Sequence, residues 1–154
     1  MLKKILPFLL VLAVFVGCSK GTLESRPSIE LRNMNSTQFP IDPNTFFIPD
    51  LVMTIRFDDK EGDLAGGTVT YIRVRTNLDP IENPAANDKI DTIRSLLPDF
   101  QKATTGEIDI KFPGNFLIED PRDNDSMYFR ITVQDVAGNA SDTIDTPPIV
   151  QIKN

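Results

Sequence analysis

The densest group of side chains capable of chemistry in this sequence is the acidic run Asp58-Asp59-Lys60-Glu61-Gly62-Asp63. Asp59, Glu61 and Asp63 alternate along the run, so a loop that curls about Gly62 can point three carboxylates at one centre. Hard cations such as calcium bind clusters of oxygen ligands of this kind. The run therefore predicts a candidate cation site.

The acidic run also fits a simpler role. It departs from an EF-hand calcium loop, because Leu64 stands at the glycine position and Thr70 at the position of the bidentate glutamate. Aspartate side chains commonly accept hydrogen bonds from backbone N–H groups of their own turn. The alternative to metal binding is a turn capped by its own carboxylates, and the sequence leaves both interpretations open.

The composition excludes several kinds of catalytic site. The 154 residues include no histidine, no tryptophan and one cysteine, Cys18. A Ser-His-Asp or Cys-His nucleophile, a histidine-containing zinc site and a four-cysteine cluster are thereby excluded. The net charge is −6, whereas nucleic-acid-binding proteins normally carry a basic patch. We predict that the protein is not an enzyme and does not bind nucleic acid.

Cys18 lies at the end of a segment typical of a bacterial lipoprotein signal. Two lysines precede residues 5–17, of which 11 of 13 are apolar, a run shorter than the ~20 residues that span a bilayer. Phe15-Val16-Gly17-Cys18 resembles a lipobox, in which a small residue precedes the acylated cysteine. The resemblance implies a signal peptide over residues 1–17 and several acyl chains at Cys18, enough for stable anchoring. An ordinary secretory signal with an incidental Cys18 is the alternative.

A short tether and one domain follow the cysteine. Residues 19–27 are mostly small, polar or charged, which predicts a flexible link of about 30 Å at full extension. Residues 28–154 have the length of a single domain that needs no disulfide or metal to form a core. Loss of residues 1–17 removes two lysines and changes the net charge from −6 to −8. Anionic headgroups would repel this chain, so the lipid anchor must hold it at the membrane.

Alternation of apolar and polar residues predicts that the domain is all-β. In residues 51–57, 107–112 and 127–133, every second residue is apolar, which is the pattern of a half-buried strand. Acidic, glycine-rich and proline-rich turns separate these segments and favour an antiparallel sandwich. The residues expected in the core are Phe129, Ile131, Ile55, Phe57, Ile110 and Ile72.

Weaker patterns mark the other elements. Residues 68–76 are rich in β-branched side chains and predict a strand with Ile72 and Val74 facing the core. Ile29 and Leu31 indicate a first strand, and apolar residues between 144 and 152 a last one. Residues 88–104 fit a short helix or a short strand. The residues predicted on the outward face of the 68–76 strand are Tyr71, Arg73 and Arg75.

Two segments resemble known modules. MYFRITVQDVAGNASDTIDTPPIVQI, residues 127–152, resembles the last two strands of bacterial immunoglobulin-like or fibronectin type III-like modules, with a D-x-A-G-N hairpin between them. LVMTIRFDDKEGDL, residues 51–64, resembles a strand that enters an acidic turn. Both features are similar to those of small lipoproteins of Gram-negative bacteria that have no assigned activity. The resemblance implies a single immunoglobulin-like antiparallel β-sandwich and leaves the activity open.

An immunoglobulin-like topology would place residues 135–139 at the same end of the sandwich as the acidic run. Asp135 would then join the candidate cation ligands, with calcium as the cation considered. Tyr71 and Tyr128, both predicted to face outward, could form a small platform for a sugar ring. The candidate metal ligands are Asp58, Asp59, Glu61, Asp63 and Asp135, with Cys18 as the lipidation site.

These observations predict an envelope lipoprotein that acts by binding or as a structural module. The N-terminal lipid would attach it to the membrane, with the outer membrane as the expected location and an envelope protein or a glycan as the expected partner. The alternative function is a small glycosidase-like hydrolase that uses two carboxylates. A deep acidic cleft with two carboxyl groups of diverging pKa would favour this alternative.

Overall fold

The computed structural model describes residues 26–40, 47–77, 92–117 and 125–152. These residues contain nine strands and one turn of 3₁₀ helix, Gly114–Leu117. They contain no helix with the length and apolar character needed to cross a membrane. The strands are β1 (Ser28–Met34), β2 (Gln38–Pro40), β3 (Leu51–Asp58), β4 (Thr68–Arg75), β5 (Thr92–Leu96), β6 (Thr105–Phe112), β7 (Asp125–Gln134), β8 (Ile144–Asp145) and β9 (Ile149–Ile152).

The strands form two sheets that share one core. One sheet is antiparallel and has the order β1-β3-β6. The other has the order β2-β9-β7-β4-β5, with β8 also paired to β7, and only the β2–β9 pair is parallel among its described strands. Immunoglobulin-type sandwiches divide their strands in a similar way, with A, B, E and D facing C, F and G. The predicted all-β sandwich is confirmed.

The core is built from alternating residues of both sheets. Burial alternates along all of β3 and all of β7, because successive side chains of a strand point to opposite faces. The rings of Phe112 and Phe129 stack across the two sheets with their centroids 4.6 Å apart. Five of the six residues predicted for the core are buried: Phe129, Ile131, Ile55, Phe57 and Ile110.

The sixth core prediction, Ile72, is wrong because β4 faces the opposite way. Ile72 is 38% exposed on the outer surface, whereas Arg73 is 5% exposed and lies inside the sandwich. Arg73 pairs with Phe129 of β7, and Phe129 is fully buried. Residues directly opposite in a sheet share a face, so the aromatic core of β7 determines which face of β4 is buried.

Phe116 makes the interior position tolerable for the Arg73 guanidinium. Arg73 Nη1 donates a hydrogen bond to the Phe116 carbonyl oxygen at 2.8 Å. The guanidinium carbon lies 4.6 Å from the centroid of the Phe116 ring, in cation–π geometry. Tyr71, also predicted to face outward, instead packs edge-on against Phe112 with ring centroids 4.6 Å apart. The inner face of β4 therefore carries residues that the sequence pattern assigned to solvent.

The structure also settles the weaker assignments. Residues 92–96 of the ambiguous 88–104 segment form β5, and residues 97–104 have no regular structure. The predicted last strand is divided into β8 and β9, with Pro147 and Pro148 between them. Proline cannot donate to a strand ladder, which accounts for the interruption.

Candidate functional site at the loop end of the sandwich

The acidic loop and the hairpin after β7 lie at the same end of the sandwich. The N–H of Val136, in the hairpin, donates to the carbonyl oxygen of Asp63 at 3.3 Å. Gly66 also faces the hairpin, because a Cβ built on it would lie 3.9 Å from Val136. We call residues 59–67, residues 135–142 and the adjacent Arg26 and Lys102 the loop end.

Asp59 caps the acidic loop from inside. Its side chain is 1% exposed, and its carboxylate accepts hydrogen bonds from three backbone N–H groups. The donors are Glu61 at 3.3 Å, Asp63 at 2.8 Å and Leu64 at 2.9 Å. The backbone bends at Gly62, whose φ of 66° lies in the left-handed region that glycine adopts readily. This local hydrogen bonding explains why aspartate precedes the turn.

Asp135 caps the hairpin in the same manner. It is 4% exposed, and its carboxylate accepts from the backbone N–H of Asn139 at 2.7 Å and from the Asn139 side-chain amide at 2.9 Å. The backbone N–H of Asp135 donates to the Asn139 carbonyl oxygen at 3.0 Å. Gly138, with φ of 94°, completes the turn between them.

Asp63 lies near both capping carboxylates. Burial raises the pKa of the Asp63 carboxyl, and the negative charges of Asp135 and Asp59 raise it further, with Lys102 opposing them. The Asp63 Oδ1 atom is shielded from solvent and has no hydrogen-bond partner within the described parts of the chain. The surroundings of Asp63 thus disfavour the charged form of its carboxyl.

The other two predicted ligands lie apart from these three. Asp58 is the last residue of β3 and is exposed, with its carboxylate 3.5 Å from the Arg56 Nε atom. Glu61 is exposed at the surface of the loop. The structure therefore brings together Asp59, Asp63 and Asp135 of the five candidate ligands.

The geometry of the three carboxylates favours turn capping. Asp59 and Asp135 already accept backbone hydrogen bonds, and the described residues include no group of three or more aspartate, glutamate, histidine or cysteine side chains placed to hold a metal ion. Calcium binding stays a prediction.

Arg26 attaches the start of the domain to the loop end. Its Nε atom donates to the Ala140 carbonyl oxygen at 2.8 Å, and its Nη2 atom donates to the Asp142 carboxylate at 2.9 Å. A cavity of about 490 Å³ opens beside it. Sequence analysis missed this contact, because an arginine at the end of a polar tether has no distinguishing pattern. Residues lining the cavity include Arg26, Ser28, Asp58, Lys60, Thr105 and Asp142.

The other predicted functional residues are the lipidation site and the two tyrosines. Cys18 lies outside the described residues. The tyrosine platform is not formed, because Tyr71 faces the core. Tyr128 lies on the outer face of β7, with the Arg130 guanidinium carbon 5.7 Å from its ring centroid.

Comparisons with known proteins do not assign a family to this chain. No protein-family model matches the chain, and no curated protein matches it. Among solved structures, it is similar to the PmoD soluble domain from Methylocystis sp. ATCC 49242 (Rockwell), with 14% sequence identity and a TM-score of 0.34. The similarity covers 82% of this chain and 90% of that domain. A TM-score this low has no bearing on fold or function.

Proposed function

We propose that this chain is a lipid-anchored module of the bacterial cell envelope, located at the outer membrane, that acts by binding a partner or as a structural unit. The observation that carries the non-catalytic role is the use of the loop carboxylates. Asp59 and Asp135 are buried acceptors for backbone N–H groups. Carboxylates held in this way stabilise loops and are poorly available to a substrate.

The position of Arg26 supports an anchor at Cys18. Cys18 precedes Arg26 by eight residues, so the covalent chain between them reaches at most about 26–29 Å. Arg26 contacts the hairpin, so in this proposal the link to Cys18 keeps the loop end within that distance of the bilayer. A partner in the envelope would then reach the domain through the outer faces of its two sheets.

Mass spectrometry of the mature N-terminus tests the anchor. We expect an acylated Cys18 as the first residue and recovery of the protein with the membrane fraction. Cys18→Ser should release the protein into the soluble fraction, and Ser19→Ala, as the matched control, should leave it with the membranes. A free, unmodified Cys18 in the mature chain would refute the proposal.

A further inference from the structure

The outer face of the larger sheet exposes aliphatic residues. Ile72 of β4 is 38% exposed and Leu96 of β5 is 77% exposed. Burying an isoleucine normally stabilises a fold, whereas burying a guanidinium costs free energy. Arg73 nevertheless takes the interior position of β4 while Ile72 faces outward. We call the outward residues of β4, β5, β7 and β8 the β4 face.

A depression lies at the centre of the β4 face. Its volume is about 350 Å³, and it is lined by residues of β4, β7 and β8 and by Thr143, which precedes β8. It combines one aliphatic side chain with three threonine hydroxyl groups and one ion pair. The lining residues are Thr70, Ile72, Arg130, Thr132, Thr143 and Asp145.

Two arginines on the β4 face are held in place by neighbours. Arg94 Nη2 donates to Gln134 Oε1 at 2.8 Å. Arg130 Nε lies 3.2 Å from the Asp145 carboxylate, and the same guanidinium lies over the Tyr128 ring. Arginine and tyrosine are enriched among the residues that dominate protein–protein binding energy. Because these side chains are already ordered, binding through them loses less conformational entropy.

The outer face of the β1-β3-β6 sheet has a different character. It carries closely spaced opposite charges, including Arg32 with Glu30 at 3.1 Å and Lys111 with Asp50 at 2.9 Å. Thr54, at its centre, donates to Asp109 at 2.8 Å. Charged residues are depleted from the centres of protein interfaces, so this face has the chemistry of a solvated surface and serves as a control.

The charge of the β4 face indicates what it would bind. Its described outward residues include two arginines, Arg94 and Arg130, and one acidic residue, Asp145. Because Asp145 pairs with Arg130, the unbalanced positive charge among these residues is that of Arg94, on a chain whose net charge is −6. The like net charges of two copies disfavour self-association, whereas a carboxylate-bearing partner complements the face.

We propose that the β4 face docks another protein, whose contact surface presents an apolar side chain for the depression and a carboxylate for Arg94. This inference rests on the proposed binding role and specifies its surface. A protein partner fits the exposed Ile72 and Leu96 better than a glycan does, since the predicted pair of stacking tyrosines is not formed.

Photo-crosslinking in the producing cells tests the surface. Benzoylphenylalanine is introduced into the full-length chain at Thr70, in the depression, and at Thr54, on the opposite face. We expect irradiation to give one discrete protein adduct from Thr70 and none from Thr54. The captured protein is then purified, and its affinity for the full-length chain in detergent is measured by calorimetry.

The variants separate specific docking from capture alone. Ile72→Glu and Arg94→Glu should each weaken binding about tenfold or more, as is typical for the central residues of an interface. Val52→Glu, on the other sheet, should leave affinity unchanged. The thermal midpoint of each variant, followed by circular dichroism, shows that it is folded.

Several results would overturn the proposal. These are no adduct from Thr70, equal adducts from both positions, an adduct with a second copy or with a glycan, or affinity unchanged by both substitutions. An unmodified Cys18 with a specific Thr70 adduct would refute the anchor and keep the docking surface. An acylated Cys18 without that adduct would refute the docking surface and keep the anchor.

Discussion

Asp59 is the residue of the acidic loop whose loss should cost most stability. Asp59→Ala removes the acceptor of three backbone N–H groups, of which that of Leu64 is buried. Leaving a buried donor without a partner costs about 1–3 kcal/mol, so urea unfolding should show a loss of that size. Glu61→Ala, in the same loop but exposed, should change stability little, and equal losses would contradict the assignment of Asp59 as the cap.

Replacing Asp63 should raise stability, whereas replacing Asp59 should lower it. Burial and the charges of Asp135 and Asp59 raise its pKa, so folding favours its protonated form. The stability that this protonation contributes is full at low pH and is lost as pH rises through the raised pKa. Asp63→Asn, which cannot ionise, should therefore raise the thermal midpoint at pH 7 and reduce the fall in midpoint as pH rises above 4.

A matched variant checks whether the higher thermal midpoint of Asp63→Asn has a local origin. Asp58→Asn removes a carboxylate from the same segment, but one that is exposed and paired with Arg56. It should give no increase in midpoint. A similar increase in both variants would point to the net charge of the molecule and contradict a local effect at Asp63.

Calcium gives a separate test of the same carboxylates. A cation that binds only the folded state raises the midpoint in proportion to RT ln(1 + [L]/Kd). If Asp59, Asp63 and Asp135 bind calcium, millimolar calcium at fixed ionic strength should raise the midpoint of the wild-type chain, and Asp63→Asn should abolish the rise. An unchanged midpoint with calcium or chelator would assign the loop to capping alone.

At the scale of elements, β4 should lose most stability when residues on its inner face are substituted, although the sequence pattern predicts that this face is outward. Arg73→Ala removes a partly buried hydrogen bond and a ring contact with Phe116, whereas Ile72 is exposed. Ile131→Ala on β7, a fully buried reference, should cost about 2–5 kcal/mol. We expect Arg73→Ala to destabilise more than Ile72→Ala in urea unfolding, and the reverse order would mean that β4 faces as its sequence pattern suggests.

The contrast between β7 and β4 shows how far the sequence determines the fold. β7 has large apolar residues at alternate positions and polar or amphipathic ones between them, so its facing follows from the sequence. β4 has apolar residues at both parities, with Val69 and Tyr71 on one face and Ile72 and Val74 on the other. Only its pairing with the buried Phe129 decides which face is inside.

The candidate site was also predicted from the sequence only in part. The turn residues and an immunoglobulin-like topology predicted five carboxylates at one end, of which the structure brings together Asp59, Asp63 and Asp135. They were insufficient to assign their partners, because a carboxylate near a turn can bind either a cation or a backbone N–H. The exact bend of the loop at Gly62 places three N–H groups on Asp59. The Arg26 contact depends on residues 114 and 116 positions away, and no local pattern encodes it.

At the scale of the whole molecule, Asp50 links several segments at the end of the sandwich opposite the loop end. The Asp50 carboxylate contacts Lys111 at 2.9 Å and accepts from the Gly114 N–H at 3.1 Å, and its carbonyl oxygen accepts from Asn35. The hydrogen bonds from Lys111 and Gly114 lower the pKa of Asp50. The stabilisation from its ionised form is present above the unfolded pKa and is lost as pH falls through the lowered value.

The two ends of the sandwich should therefore respond to pH in opposite directions. Asp50→Asn is expected to lower the thermal midpoint at pH 7, with the difference from wild type shrinking below the ordinary aspartate pKa of 3.8 and disappearing once the pH is below the lowered pKa of Asp50. Glu107→Gln, an exposed position on the same strand as Lys111, is the control and should give no such difference. A difference that persists in strong acid would mean that Asp50 acts through packing and not through its charge.

The contact of Arg26 with the hairpin gives the domain a particular way of bearing tension. With an anchor on Cys18 and a partner on the β4 face, any pull between membrane and partner enters the fold at Arg26 and runs along β1. Because β1 pairs with β3 from Ser28 to Met34, a pull directed along β1 would load their hydrogen bonds in shear, together and not one by one. Arg26 would pass part of that force to Ala140 and Asp142, so an anchor at Cys18 would load the sandwich where it resists being pulled apart.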